Sequence, residues 1–147
     1  MFISQTAEYA IRAMSAIATL PEGIKIRASD LGRATGIPAP YLSKILRRLV
    51  LAGLLVSQKG QGGGFLLARP AAETPFIDIL NAVDVFPTDA RCAFGWGNCD
   101  QLSPCPLHDA WSRLSRQIVE WANDTNLAEV ATAAEGDQRI QLFPHVG

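Results

Sequence analysis

The sequence predicts a mainly α-helical chain carrying one small β-hairpin, and three observations point to it. Apolar residues recur at helical spacing over most of the 147 residues. Only two runs, 54–58 and 65–68, have β-prone composition, and they flank a tip holding Gly60, Gly62, Gly63 and Gly64. A last helical stretch repeats its apolar residues at 4-3-4-3 spacing, an a/d seam over two heptads. With 48% hydrophobic and 18% charged residues, the composition is that of a globular chain rather than a disordered one.

Each element follows from local signals. Ser4 is placed to cap a helix running to about Leu20, with Ala10, Met14, Ile17 and Leu20 on one face. "PEG" at 21–23 ends it, and "IKI" at 24–26 reads as a short extended piece. Ser29 is expected to cap a brief helix that stops at Gly36. After the turn "GIPAP", Pro40 suits the first turn of a helix over about 40–52, because its missing N–H costs nothing there. That helix carries Tyr41, Ile45, Leu49 and Ala52 as its apolar stripe, with Leu42 and Leu46 beside it and Lys44, Arg47 and Arg48 off it. Two short helices joined by a tight Gly-containing turn make a helix-turn-helix, and a hairpin directly after one is a wing. The Gly-rich tip implies unusual backbone angles or a close approach to another segment. Thr74 is expected to cap the next helix, with Pro75 at its first position and Phe76, Ile79, Leu80 and Val83 inward. An irregular loop then leads to a long helix from near Pro106, whose seam is Leu107, Trp111, Leu114, Ile118 and Trp121. One more short helix lies within "TNLAEVATAAE". The domain organisation is therefore a winged helix-turn-helix over 1–70, a connecting helix over 71–90, a cysteine loop over 91–105, a pair of helices over 106–135 and a tail over 136–147.

Charge is divided unevenly. Residues 1–70 hold nine Lys and Arg against three Asp and Glu, a net of +6, while residues 71–147 hold four against eleven, a net of −7. A basic winged helix-turn-helix fits duplex DNA: a recognition helix enters the major groove, and cations displace counterions from phosphates. The candidate contacts are Ser43, Lys44 and Arg47 on the outer face of the second helix, Arg33 and Arg48 for phosphates, and Lys59 and Gln61 at the wing tip. The alternative is a winged domain used for protein contacts, its charges a solvated face.

All three cysteines fall within fourteen positions, as C-x6-C-x5-C-x2-H from Cys92 through Cys99 and Cys105 to His108. Thiolates and imidazole suit zinc or an iron–sulfur cluster by their softness. At i and i+3, Cys105 and His108 project to the same side of a helix start, whose free N–H groups favour thiolate charge. Incidental buried thiols remain the plain alternative. The apolar seam carrying Trp111, Leu114, Ile118 and Trp121 is the candidate dimer interface.

Enzymatic readings find no support: there is no GxSxG, no Walker loop and no paired-carboxylate motif, and "GQGGGF" lies in a hairpin rather than between strand and helix. The N-terminus lacks the pattern of a secretory signal, and no apolar run approaches the ~20 residues that span a bilayer. The expected setting is the cytoplasm, with no membrane partner.

From about residue 1 to 135 the chain resembles the Rrf2 family of bacterial winged-helix regulators, the group of IscR-, NsrR- and RirA-like proteins. The resemblance is carried by "TAEYAIRAM" at 6–14, "PAPYLSKILRRLVLAGLL" at 38–55, "KGQGGGFLLA" at 59–68 and the three-cysteine loop. It implies a homodimer built on the long C-terminal helix, with an iron–sulfur cluster controlling binding to a palindromic operator in response to iron, nitric oxide or redox state. A [2Fe–2S] cluster is the first expectation and [4Fe–4S] the second. The resemblance makes His108 the fourth ligand, with Glu8 of the partner subunit as its rival. The wing departs from the family's usual Arg-Gly-Pro-Gly-Gly-Gly in having Lys59 and Gln61, and a lysine reads a narrow minor groove less well than an arginine. The first cysteine gap of six residues lies between the five of IscR- and NsrR-like loops and the seven of RirA-like loops. A structural Cys3His zinc site, and a cluster carrier or scaffold using the winged domain for protein contacts, stand as alternatives.

Overall fold

The computed structural model describes residues 3–84 and 91–135. Six α-helices and a two-stranded hairpin make up these residues: α1 (Gln5–Ala18), α2 (Ala28–Thr35), α3 (Ala39–Leu51), β1 (Leu55–Gln58), β2 (Gly64–Leu67), α4 (Phe76–Val83), α5 (His108–Asp124) and α6 (Leu127–Ala134). The mainly helical fold class with a hairpin wing is what the periodicity predicted. The tail over 136–147 and the last part of the connecting segment, 85–90, lie outside the described residues.

Helix α1 is the centre of the molecule, packing on α2, α3, α4, α6 and β2. Its buried residues are mostly small, Ala7, Ala10, Ala13 and Ala16, which lets several elements approach its backbone, while Met14 and Ile17 fill the remaining space. Ser4 caps it as expected, its Oγ accepting from Ala7 N at 3.1 Å. The core runs without a break from α1 through Leu31, Leu42, Leu46 and Leu49 to Ile79 and Leu80, and includes Ala122 and Leu127 near the far end of the chain. Each fully buried leucine contributes about 1.5–3 kcal/mol by leaving water. The chain's return is held by a bridge between Pro75 and Asn126, with Phe76 N donating to Thr125 O at 2.9 Å and Leu127 N to Thr74 O at 3.1 Å.

Several local expectations are corrected. Helix α2 starts earlier than the Ser29 cap implies: Arg27 is its N-cap and offers no side-chain bond. Pro75, not Thr74, caps α4, because the Thr74 hydroxyl donates backwards to Pro70 O at 3.1 Å. Helix α1 ends at Ala18 rather than Leu20, and α5 begins at His108, two residues past Pro106. The buried stripe of α3 is Leu42, Ile45, Leu46 and Leu49. Tyr41 is 55% exposed and Ala52 is exposed too, so the stripe is rotated from the one read in the sequence.

The hairpin pairs Leu55 with Leu67 through to Gln58 with Gly64. The extended piece expected at 24–26 joins it as a third partner: Ile26 N donates to Phe65 O at 3.0 Å and Phe65 N to Ile26 O at 2.8 Å. That contact explains the glycines. Gly64 sits at φ +148, and a Cβ there would lie 2.6 Å from the Ile26 carbonyl oxygen. A Cβ on Gly63 would run into the Gln58 carbonyl. The wing is thus stitched to the α1–α2 connection near the tip end of its strands, with residues 59–63 forming the tip itself. Among the described residues no helix is long and apolar enough to cross a membrane.

Candidate nucleic-acid interface and cysteine loop

With its leucine stripe buried, α3 turns Ser43, Lys44 and Arg47 to solvent together. Lys59 and Gln61 are exposed at the wing tip. These five candidates therefore occupy free surface on the two elements that a winged helix presents to DNA. The two phosphate candidates are partly engaged. Arg33 is ion-paired with Asp30 within α2. Arg48 donates from Nη1 to the Val83 carbonyl at 2.6 Å, joining α3 to the last residue of α4. Sequence reasoning missed Lys25, whose Nζ donates to Oε1 of Gln58, the last residue of β1 before the wing tip; the β-bridge that brings it there leaves no local signature. It also misassigned Tyr41. That ring meets Tyr9 of α1 at 6.2 Å between centroids, tilted 59°, and Arg12 stands 5.4 Å over the Tyr9 ring.

The cysteine loop folds on itself. Arg91 and Asn98 form an isolated bridge, Cys92 N donates to Gly97 O at 2.9 Å, and Gly95 N donates to Cys92 O at 2.9 Å. Cys92 is buried within this knuckle. Backbone N–H bonds, first that of Phe94, draw its thiol below the usual range against the opposing effect of burial; Trp96, the Cys105 side chain and Gly95 add to the lowering. Cys99 moves the other way: burial pushes its thiol up, and the neighbouring Cys105, Cys92 and Asp100 charges push it further. Its Sγ lies 3.1 Å from His108 Nδ1 at the start of α5. Of the four ligand candidates, Cys99 and His108 meet directly, and the three thiols lie near enough to influence one another's ionisation. Among the described residues, no three His, Cys, Asp or Glu side chains gather closely enough for a single metal ion. The donor chemistry nevertheless suits a soft metal group: amide-stabilised sulfur, thiols that repel one another when ionised, and an imidazole beside one of them. Glu8 is elsewhere engaged, its Oε1 accepting from Arg12 Nη2 at 2.6 Å.

The seam candidates on α5 are only half-covered. Ala122 is the helix's one buried residue; Trp111, Leu114 and Ile118 are intermediate and Trp121 is 41% exposed. Trp121 rests edge-on against Phe76 at 5.6 Å. Trp111 donates from Nε1 to the Arg91 carbonyl at 2.6 Å, at the foot of the cysteine knuckle.

A helix-turn-helix with an anchored wing, followed by a cysteine loop and a long amphipathic helix, defines a winged-helix DNA-binding regulator. The family model for Rrf2, described as an iron-dependent transcriptional regulator, matches residues 3–133, and the chain belongs to that family. It is 36% identical over 143 residues to a Mycobacterium tuberculosis protein described as an HTH-type transcriptional regulator, covering 97% of this chain and 88% of that one. It is 30% identical to the HTH-type transcriptional regulator IscR of Cronobacter sakazakii, covering 92% and 83%. Among solved structures, T. potens IscR superimposes with a TM-score of 0.74 at 22% identity, covering 92% of this chain and 90% of that one. CymR, the global cysteine regulator of B. subtilis, gives 0.75 at 19% identity, covering 89% and 96%. The protein is therefore a transcriptional regulator of the Rrf2 type with the winged-helix fold, and its relatives are regulators rather than enzymes.

Proposed function

We propose that this regulator is a homodimer whose binding to a palindromic operator is controlled by an iron–sulfur cluster held by Cys92, Cys99, Cys105 and His108. The observation that carries the reading is the return of the loop onto α5, which sets Cys99 Sγ 3.1 Å from His108 Nδ1. The iron-dependent description of the family is consistent with it. Three thiols and an imidazole on one short loop suit a [2Fe–2S] centre by their softness, and the family's iron-dependent description favours iron–sulfur over the zinc alternative. His108 is favoured over Glu8 of the partner subunit, because Glu8 is bonded to Arg12 on its own helix.

When bound, such a group would tie the loop to the head of α5. The chain's own residues supply the rest. Ser43, Lys44 and Arg47 read the major groove, Lys59 and Gln61 reach an adjacent groove, and Arg33 and Lys25 face phosphates. Arg48 links α3 to Val83, the last residue of α4. The half-covered face of α5 pairs two copies and sets the distance between their recognition helices, which must be ~34 Å or a multiple of it on B-form DNA.

Anaerobic purification followed by visible absorbance and iron and sulfide assay tests the cofactor: a coloured protein with both elements is expected, and a colourless protein containing zinc would overturn it. Gel shifts with duplex DNA test the regulator reading independently of the metal.

A further inference from the structure

We propose that Trp111 is a positioning residue of the cysteine loop, its indole N–H holding the Cys92 knuckle against α5. The inference rests on the iron–sulfur reading above and deepens it. In the sequence Trp111 belongs to an apolar seam, where only its ring would matter. In the structure its Nε1–H donates to the carbonyl of Arg91, the residue before Cys92, at 2.6 Å.

The knuckle that starts there is closed by its own bonds, the Arg91–Asn98 bridge and the exchange between Cys92, Gly95 and Gly97. A small closed unit moves as one body, so holding the Arg91 carbonyl also places the Cys92 sulfur. The other end of the bond is equally firm. Trp111 lies three residues after His108 on the same helix, so the two project to one side of it, and Trp111 N donates to Leu107 O at 2.8 Å. One rigid helix therefore carries His108 directly and Cys92 through an indole. Cys92 lies at one end of the loop and His108 at the other, and this bond registers the first against the second. Outer-shell bonds of this kind commonly change metal retention 10–100-fold when lost.

The indole is a donor only, through a single N–H. Trp111→Phe removes that donor and keeps an aromatic ring in the seam. The test uses wild type and variant rebuilt anaerobically with ferrous iron and sulfide, followed by visible circular dichroism, decay of the visible band in air, and sizing. The expected result is a band lost about tenfold faster in the variant, with an altered visible dichroism and an unchanged oligomeric state. Trp111→His, which retains a ring N–H, is expected to fall between the two. In metal-free protein, iodoacetamide should label Cys92 faster in the Phe variant than in wild type, a readout that needs no cluster. A Phe variant with wild-type decay, dichroism and labelling would overturn the proposal, as would one that only loses dimerisation. A wild-type protein that takes up no coloured centre would overturn the iron–sulfur reading itself, and this inference with it.

Discussion

The recognition helix α3 and the long helix α5 are both amphipathic, yet the chain treats them in opposite ways. Every member of the α3 stripe, Leu42, Ile45, Leu46 and Leu49, is buried by α1, α2 and α4. Along the 17 residues of α5 only Ala122 is, at the end where the chain turns into α6 and rejoins the core. The N-terminal half finishes its own packing and leaves a polar, basic face free. Helix α5 keeps an apolar face half-open and carries the loop chemistry at its head. In the proposed function the first region reads DNA from a fixed platform, and the second pairs with another copy.

The largest effect should come from making α5 unable to meet a partner. Replacing Leu114 and Ile118 together by Glu places charge in the seam, where an unpaired buried charge is strongly unfavourable. Sizing should show monomers, while the thermal transition of the winged half stays in place. A native protein already monomeric at micromolar concentration would end the contrast between the two helices. Leu46→Ala probes the other side. It empties a fully buried site and should cost about 2–5 kcal/mol in denaturant unfolding, with oligomeric state unaltered once folded. Equal stability losses from both sets of variants would mean that the chain has one cooperative unit rather than a closed half and an open one.

Cys99→Ser tests whether the open half speaks to the closed one. It should abolish the visible chromophore, keep the helical content, and change operator affinity within the 5- to 150-fold range of ordinary site-to-site coupling. A variant that loses colour yet binds every tested operator as wild type does would leave the loop without a regulatory role. On the closed half, Arg47→Ala and Lys44→Ala should weaken DNA binding with little change in fold. A base contact costs about 1–3 kcal/mol and relaxes specificity, whereas a phosphate contact weakens all sequences alike and lowers the salt slope by about one. Unchanged affinity in both variants, at low and moderate salt, would remove α3 from the interface.

What was legible in the sequence follows the same division. The helices, the wing and most buried faces could be read because periodicity and turn residues are local. The i, i+3 argument put Cys105 and His108 together on a helix start, but α5 begins only at His108, and it is Cys99 that lies beside the imidazole. Bonds between distant segments could not. Arg48 looked like a phosphate cation and proves to hold Val83; Trp111 looked like a seam residue and bonds Arg91. Lys25 gave no sign of lying beside the wing, because a single β-bridge puts it there. The capping errors at Ser29 and Thr74 have a related cause. A hydroxyl caps only if the backbone aims it at the free N–H groups, and the tight turn after Pro70 points that of Thr74 back at a carbonyl instead.

Tyr41 supplies the smallest and sharpest test of the closed half. An aromatic residue on a helix that buries its other large apolar side chains is expected inside, and the sequence reading placed it there. It lies instead on the first turn of α3, 55% exposed, one turn ahead of Lys44 and against the tilted ring of Tyr9. Gln5 donates to the Tyr9 hydroxyl at 3.2 Å and Arg12 covers the Tyr9 ring, so the brace is itself held in place. A tyrosine kept at the surface next to basic residues offers a phenolic donor to a phosphate oxygen at little cost in folding. Tyr41→Phe should leave the unfolding midpoint within about 0.5 kcal/mol of wild type, as for an exposed position. It should weaken binding to a random-sequence duplex by about 1 kcal/mol, roughly fivefold, which is the net worth of one hydrogen bond. Because the phenol is neutral, the salt slope should stay the same, which separates it from Lys44 and Arg47. A fall in stability with unchanged DNA affinity would return Tyr41 to the core and show that the packing of α3 extends one turn further than the structure places it.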